Sequence, residues 1–108
     1  MESSQHEPGP QVKIRKIARR LRITGTVQGV GFRAALCDVA RNHGLEGWVR
    51  NRKDGSVEAE IAGAPEAVAA LVDWSRRGPP AARVADVRVE TINAAEALSG
   101  GFSQRPTL

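Results

Sequence analysis

The sequence predicts an α+β sandwich in which two helices cover one face of a mainly antiparallel β-sheet. The chain has 108 residues, enough for one domain with a modest core. Its apolar residues alternate with a period of two in some stretches and recur with a helical period in others. The resulting order is strand, helix, strand, strand, helix, strand. Glycine or proline marks the breaks between these stretches, which supports the boundaries.

The first predicted strand and helix flank a glycine-rich turn. Leu21, Ile23 and Val27 alternate with polar residues, which indicates a half-buried strand. After the turn, five apolar residues share one helical face over about three turns: Phe32, Ala35, Leu36, Val39 and Ala40. Gly44 then stands where a glycine commonly ends a helix.

The middle of the chain predicts a β-hairpin. Asp54 and Gly55 form a tight-turn pair between two strand-like runs, residues 46–51 and 56–61. In the second run, three apolar residues should face the core and two glutamates should lie on the opposite, outer side: Val57, Ala59 and Ile61 inside, Glu58 and Glu60 outside.

The remaining elements follow the same reasoning. Pro65 suits the first position of a second helix, and residues 78–80, Gly-Pro-Pro, end it. Alternating valines predict a strand within 83–92. A loop near 93–100 should then lead to a short final strand at 101–104.

The element order is therefore β-α-β-β-α-β with a short terminal strand. We expect Pro106 to end this last strand, because proline has no N–H for a strand ladder. This order is typical of the ferredoxin-like arrangement, with both helices on one face of the sheet. We divide the chain into a polar tail, residues 1–16, which we expect to be disordered, and one folded domain, residues 17–108.

The charge is concentrated at the N-terminus. Of the net +4, residues 1–20 contribute five basic and two acidic groups, and the remainder is nearly balanced. A weak polyanion-binding arm is thus the alternative to a plain solvated tail. Residues 1–16 lack an apolar core and no long apolar run follows, so we expect neither a secretory signal nor a membrane span. The single Cys37 cannot form an intrachain disulfide, which favours a cytoplasmic protein.

Residues 25–33 read G-T-V-Q-G-V-G-F-R and predict an anion-binding loop. Glycines let the backbone curl tightly, and free N–H groups at a helix N-terminus attract anions. Arg33 can grip two oxygens of a phosphate or carboxylate. The spacing differs from both the G-x-G-x-x-G fingerprint and the P-loop. On spacing alone, an anion site and a plain structural turn remain equally open.

Two motifs together resemble the acylphosphatase family. They are residues 25–33 and residues 47–58, G-W-V-R-N-R-K-D-G-S-V-E, and the resemblance extends through 78–84 to cover about residues 17–103. It implies an enzyme that hydrolyses small-molecule acyl phosphates to a carboxylate and inorganic phosphate, with no metal and no organic cofactor. It also implies a phosphate-binding loop with Arg33, and a water-positioning Asn51. The loop residues are Gln28, Gly29, Val30, Gly31, Phe32 and Arg33.

The chemistry is consistent with these roles. An acyl phosphate already carries a good leaving group, so the protein need only neutralise charge on the phosphoryl oxygens and align water. We expect the substrate's own phosphate oxygen to accept the proton. The structural alternatives are a surface ion pair for Arg33 and a turn role for Asn51. We expect Trp48 to be a core residue rather than an acyl-group contact. Cys37 should be a buried apolar residue.

Other functions are less well supported by the sequence. A noncatalytic anion- or partner-binding module of the same fold is the main alternative. RNA-recognition domains share the element order but need exposed aromatics on the central strands, and residues 56–60 contain none. We expect a monomer that does not bind nucleic acid.

The sequence departs from the pattern of the family at two positions. Thr26 stands where a basic residue is common. Ala34 stands where a bulkier residue is frequent, and it leaves space beside the loop.

Overall fold

The computed structural model describes residues 15–97 and 100–108. Most of the predicted tail, residues 1–14, lies outside the described residues. The described elements, in chain order, are β1 Ile17–Thr26, α1 Phe32–Asn42, β2 Glu46–Asn51, β3 Val57–Gly63, α2 Pro65–Ser75, β4 Arg83–Ile92, α3 Ala94–Ala97 and β5 Phe102–Gln104.

The strands form one sheet in the order β4-β1-β3-β2-β5. The β2–β5 pair is parallel and the other pairs are antiparallel. The predicted ferredoxin-like α+β sandwich is confirmed. Because β1, β2 and β5 all run in the same direction, their carboxyl ends meet at one edge of the sheet. That edge carries Thr26, Asn51 and Gln104.

The core lies between the sheet and the two long helices. The apolar side of each strand faces α1 and α2, and the predicted inward residues of β3 (Val57, Ala59 and Ile61) are fully buried. From α1, Phe32 reaches the ring of Trp74 on α2 in an edge-to-face contact with centroids 5.4 Å apart. This contact fixes the first turn of α1 against α2, because aromatic pairs favour such geometry.

The helix and hairpin boundaries follow their predicted signals. Pro65 begins α2, and Gly44, with a φ of 68°, follows His43, the residue that caps the C-terminus of α1. In the hairpin turn, Asp54 Oδ1 accepts hydrogen bonds from the Ser56 N–H (2.9 Å) and the Ser56 hydroxyl (2.6 Å). Cys37 is buried, as predicted.

The predicted loop at 93–100 contains a short helix, α3. It packs on the outer face of the sheet, opposite α1 and α2, where Ala97 meets Ala18 and Ala62. Only small side chains at these positions allow so close an approach. A helix of four residues is too short to give a periodic signal in the sequence, so it could not be predicted.

The predicted placement of Glu58 on the outer face of the sheet is confirmed, yet the residue is buried there and only 6% exposed. Its Oε1 accepts hydrogen bonds from Arg50 Nε and Arg52 Nη1, each at 2.9 Å, and Arg22 lies 3.8 Å away. Strand alternation predicts the face of the sheet, but it does not reveal that long arginine side chains will cover that face.

Trp48 is buried, as predicted, but it lies on the outer face of the sheet rather than between the sheet and the long helices. It pairs in register with Glu60 and is buried between two guanidinium groups, Arg50 at 4.7 Å and Arg105 at 4.6 Å from the ring centroid. Cation–π stacking rather than helix packing therefore buries the indole. Its orientation also excludes contact with a ligand on the helix side of the sheet.

The chain continues to pair with β2 beyond Pro106, contrary to the sequence prediction. The Arg105 N–H donates to the Val49 carbonyl (2.8 Å), and the Leu108 N–H donates to the Asn51 carbonyl (3.1 Å). The backbone N–H of Lys53 in turn donates to the Leu108 carbonyl at 3.0 Å. Proline removes one donor, but pairing resumes two residues later and fixes the end of β2.

Candidate active site

The loop between β1 and α1 depends on two left-handed glycines. Gly29 has a φ of 74° and Gly31 a φ of 80°, a region that other residues enter only with strain. A Cβ added at either position would meet nothing within 4 Å, so these glycines are required by backbone conformation rather than by crowding. The Gly31 carbonyl accepts the Ala35 N–H at 3.0 Å, and the loop thus curls directly into the first turn of α1.

The backbone N–H groups at this turn are available for an anion. Gly31 precedes the first residue of α1 and supplies no side-chain cap. Within the described chain, the N–H groups of residues 29–34 have no hydrogen-bond acceptor. Unpaired N–H groups at the positive end of a helix dipole form an oxyanion site.

Arg33 extends this site with a guanidinium. It lies in the first turn of α1, is partly buried, and lines a pocket together with Gly29 and Gly31. Among residues 15–97 and 100–108 it makes no ion pair, so the surface ion pair considered as its structural alternative is not observed. A free guanidinium beside free N–H groups can bind two oxygens of one phosphoryl group.

Asn51 reaches the same pocket from the end of β2. Its backbone carbonyl is fixed by Leu108, and its side-chain amide makes no hydrogen bond to another described residue. The pocket has a volume of about 140 Å³ and is lined by Val27, Gly29, Gly31, Phe32, Arg33, Ala34, Asn51 and Gln104. An amide offers both a donor and an acceptor, which suits it to hold a water molecule.

Gln28 and Val30, two of the predicted loop residues, do not line this pocket. Val30 packs against the core. The side-chain amide of Gln28 donates to the backbone carbonyls of Arg52 (2.7 Å) and Ser56 (2.8 Å). Gln28 therefore ties the loop to the hairpin that follows Asn51. Its partners are distant in sequence, and no spacing pattern reveals such a contact.

Three lining residues are absent from the predicted site. Val27 directly follows β1, and Ala34 borders the pocket where the sequence predicts space. Gln104 comes from β5, whose parallel register places it opposite Val49. The position of Gln104 can be predicted only if the pairing of β5 with β2 is known, and a strand of three residues is too short for the sequence to indicate its partner.

A larger cavity elsewhere carries none of these features. It has a volume of about 420 Å³, lies between α2 and the edge of the sheet formed by β1 and β4, and is lined mainly by aliphatic side chains. The unpaired N–H groups, Arg33 and Asn51 all converge on the smaller pocket, which is therefore the candidate active site.

The described residues contain no group of His, Cys, Asp or Glu suited to hold a metal ion. No helix among them is long and apolar enough to cross a membrane.

Fold and site together define a ferredoxin-like domain with an anion-binding loop at one edge of its sheet. The family model for acylphosphatase matches residues 19–103, and the chain belongs to the acylphosphatase family.

Individual relatives agree with this membership. An acylphosphatase of Acidovorax sp. is 53% identical over 92 residues, which are 85% of this chain and 93% of that protein. The structure of an acylphosphatase from Coxiella burnetii superimposes with a TM-score of 0.81 and a sequence identity of 31%. The match covers 89% of this chain and 99% of that one. The predicted activity, enzymatic hydrolysis of acyl phosphates, is confirmed by these matches.

The same domain also occurs within a longer protein. A full-length HypF structure in a phosphate- and nucleotide-bound form is 25% identical, with a TM-score of 0.80, over 90% of this chain but only 13% of that one. The relatives covered over nearly their whole length are acylphosphatases, so the alternative of a noncatalytic module is not favoured.

Proposed function

We propose that the chain hydrolyses acyl phosphates by holding the phosphoryl group in the loop of residues 28–33 with Arg33, while Asn51 positions the attacking water. No metal ion or organic cofactor takes part. The observation that carries this proposal is the convergence of unpaired N–H groups, Arg33 and Asn51 on one small pocket. These groups come from two different elements, α1 and β2, and no structural role requires them to meet.

Charge neutralisation is the first part of the mechanism. In the transition state of phosphoryl transfer, negative charge spreads over the three equatorial oxygens. Gly29, Gly31 and Arg33 line the same pocket, and the folded loop places their donors there before the substrate arrives. Such preorganised donors stabilise charge without reorganisation during the reaction.

Alignment of water is the second part. The Asn51 amide has no partner among the described residues. Its oxygen can accept one hydrogen bond from a water molecule, and a lone pair of that water's oxygen is then directed at phosphorus. No Asp, Glu or His is among the residues that line the pocket. The substrate's own phosphate oxygen is therefore the proton acceptor, and the carboxylate leaves without help from a protein acid.

Several wider features belong to the same proposal. The enzyme is a cytoplasmic monomer with a folded domain at 17–108 and a polar tail at 1–16. Nucleic acid is not its partner, because Trp48, the aromatic residue of the outer sheet face, is 8% exposed between two arginines and offers no free surface for base stacking.

The test is hydrolysis of benzoyl phosphate by the purified chain in EDTA. Arg33→Gln should lower kcat/KM by roughly 10³-fold, because it removes a bidentate contact to the phosphoryl group. Arg77→Gln is the matched control, since it removes the same charge from an exposed site on another part of the surface, and should stay within about twofold of wild type. A wild type that needs added metal, or equal activities in the two variants, would contradict the proposal.

A further inference from the structure

One polar side chain of the pocket has no part in the proposed mechanism. Among the described residues, Arg33, Asn51 and Gln104 are the polar side chains that line it. Arg33 is assigned to the phosphoryl group and Asn51 to water. Gln104 is left with an amide that makes no hydrogen bond to another described residue.

The backbone of Gln104 is firmly placed. β5 pairs with β2 in parallel, with Gln104 opposite Val49, and the next residue, Arg105, donates its N–H to the Val49 carbonyl at 2.8 Å. Alternation along the strands puts Gln104 on the same side of the sheet as Val49 and Asn51. Its amide is therefore presented to the pocket from an ordered strand.

The position of Gln104 within the pocket suggests what it meets. The loop N–H groups and Arg33 take the phosphoryl group, and a pocket of about 140 Å³ leaves little room for more. The acyl group must extend to the rim. Val27 and Phe32 are buried in the core, whereas Ala34 and Gln104 are exposed. The rim thus combines a small methyl group with one amide.

We propose that Gln104 determines which acyl groups the enzyme prefers. Its amide hydrogen-bonds a polar substituent next to the acyl carbonyl, so that acyl phosphates with a hydroxyl or amino group on the α carbon are favoured over hydrocarbon ones. Ala34 leaves space for that substituent. This inference rests on the proposed function, because it places the phosphoryl group in the loop.

The experiment compares two acyl phosphates that differ only at one terminal group. Glycolyl phosphate carries a hydroxyl where propionyl phosphate carries a methyl, so their sizes match. The ratio of their kcat/KM values is measured in EDTA for wild type, Gln104→Leu and Ser103→Ala. Ser103 is the control because it neighbours Gln104 on β5 but points to the outer face, in register with Trp48.

Gln104→Leu should lower the glycolyl-to-propionyl ratio by about 3- to 10-fold, the effect of one neutral hydrogen bond, and Ser103→Ala should leave it unchanged. Comparing ratios between variants cancels the difference in leaving-group reactivity. If Gln104→Leu fails to fold, Gln104→Met, which keeps the side-chain length, takes its place.

An unchanged ratio in an active Gln104 variant would overturn this inference alone, and the proposed function would stand. A folded wild type that hydrolyses neither compound in EDTA would overturn both. The two failures are therefore distinguishable.

Discussion

Gln28 shows how the side chain of a loop residue that does not line the pocket can support the site. Its amide nitrogen donates to two carbonyls of the hairpin turn, those of Arg52 and Ser56. One of these carbonyls directly follows Asn51 in the chain. The loop of residues 28–33 and the strand end that bears Asn51 are thereby tied together, and the proposed mechanism requires such a fixed arrangement.

The isosteric substitution Gln28→Glu tests this role. A carboxylate cannot donate, so two carbonyls would face a negative oxygen in place of an N–H. We expect a loss of about 2 kcal/mol in the free energy of unfolding at pH 7, measured by urea denaturation. Repulsion from the carbonyls should raise the pKa of the new glutamate in the folded state, so the loss is complete above that folded-state pKa and shrinks as the pH falls through it towards the unfolded pKa. Equal losses at pH 7 and pH 4 would show that the hydrogen bonds are not the cause.

The positions of Arg33 and Asn51 can be predicted from local sequence, whereas their roles in catalysis remain a proposal. Arg33 and Asn51 meet in one pocket as the two motifs indicate, because each motif lies at the end of an element that the sequence also predicts. Gln28 and Gln104 differ from them. Their surroundings depend on contacts between segments far apart in the chain, and a glutamine carries no periodic signal of such contacts.

At the scale of elements, Glu58 joins β3 to β2 and the hairpin on the outer face of the sheet. Burial alone raises the pKa of this carboxyl, and the hydrogen bonds from Arg50 and Arg52 outweigh it, so that the pKa lies below its ordinary value. A group with a depressed folded-state pKa stabilises the fold above its unfolded pKa. That stabilisation is lost as the pH falls through the folded-state value.

Glu58→Gln should therefore be less stable than wild type by about 2 kcal/mol at pH 7, and the gap should narrow by pH 3. Urea midpoints at the two pH values measure it. Glu90→Gln is the control, because its exposed pair with Arg20 at 3.5 Å should contribute less than about 1 kcal/mol at either pH. A gap that stays constant between pH 7 and pH 3 would contradict the assignment.

The elements themselves were largely predictable, since each long helix and strand has its own period and its own glycine or proline boundary. The environment of the side chains on the outer face of the sheet was less predictable. The composition of this face indicates charged residues open to solvent, whereas arginine stems cover Glu58 and stack on Trp48. The extent to which long side chains lie flat on a sheet depends on their neighbours across strands, and a single strand's pattern does not contain that information.

At the scale of the whole molecule, the site follows from topology. β1, β2 and β5 run in the same direction, so their carboxyl ends bring the loop, Asn51 and Gln104 to one edge of the sheet. The ferredoxin-like order predicts this for β1 and β2. The contribution of β5 emerges only from its parallel pairing with β2, which continues through Leu108 and stiffens the strand end that bears Asn51.

In the proposed mechanism, backbone groups and Arg33 bind the phosphoryl group while Asn51 separately aligns water. The most direct measurement is kcat for benzoyl phosphate in EDTA for wild type and Asn51→Ala, with the inhibition constant of inorganic phosphate determined in parallel. We expect kcat to fall by roughly 10²- to 10³-fold, while the inhibition constant changes by less than about threefold, because the loop and Arg33 remain intact. An Asn51→Ala variant that keeps its kcat, or that loses phosphate binding as severely as turnover, would contradict this division of roles.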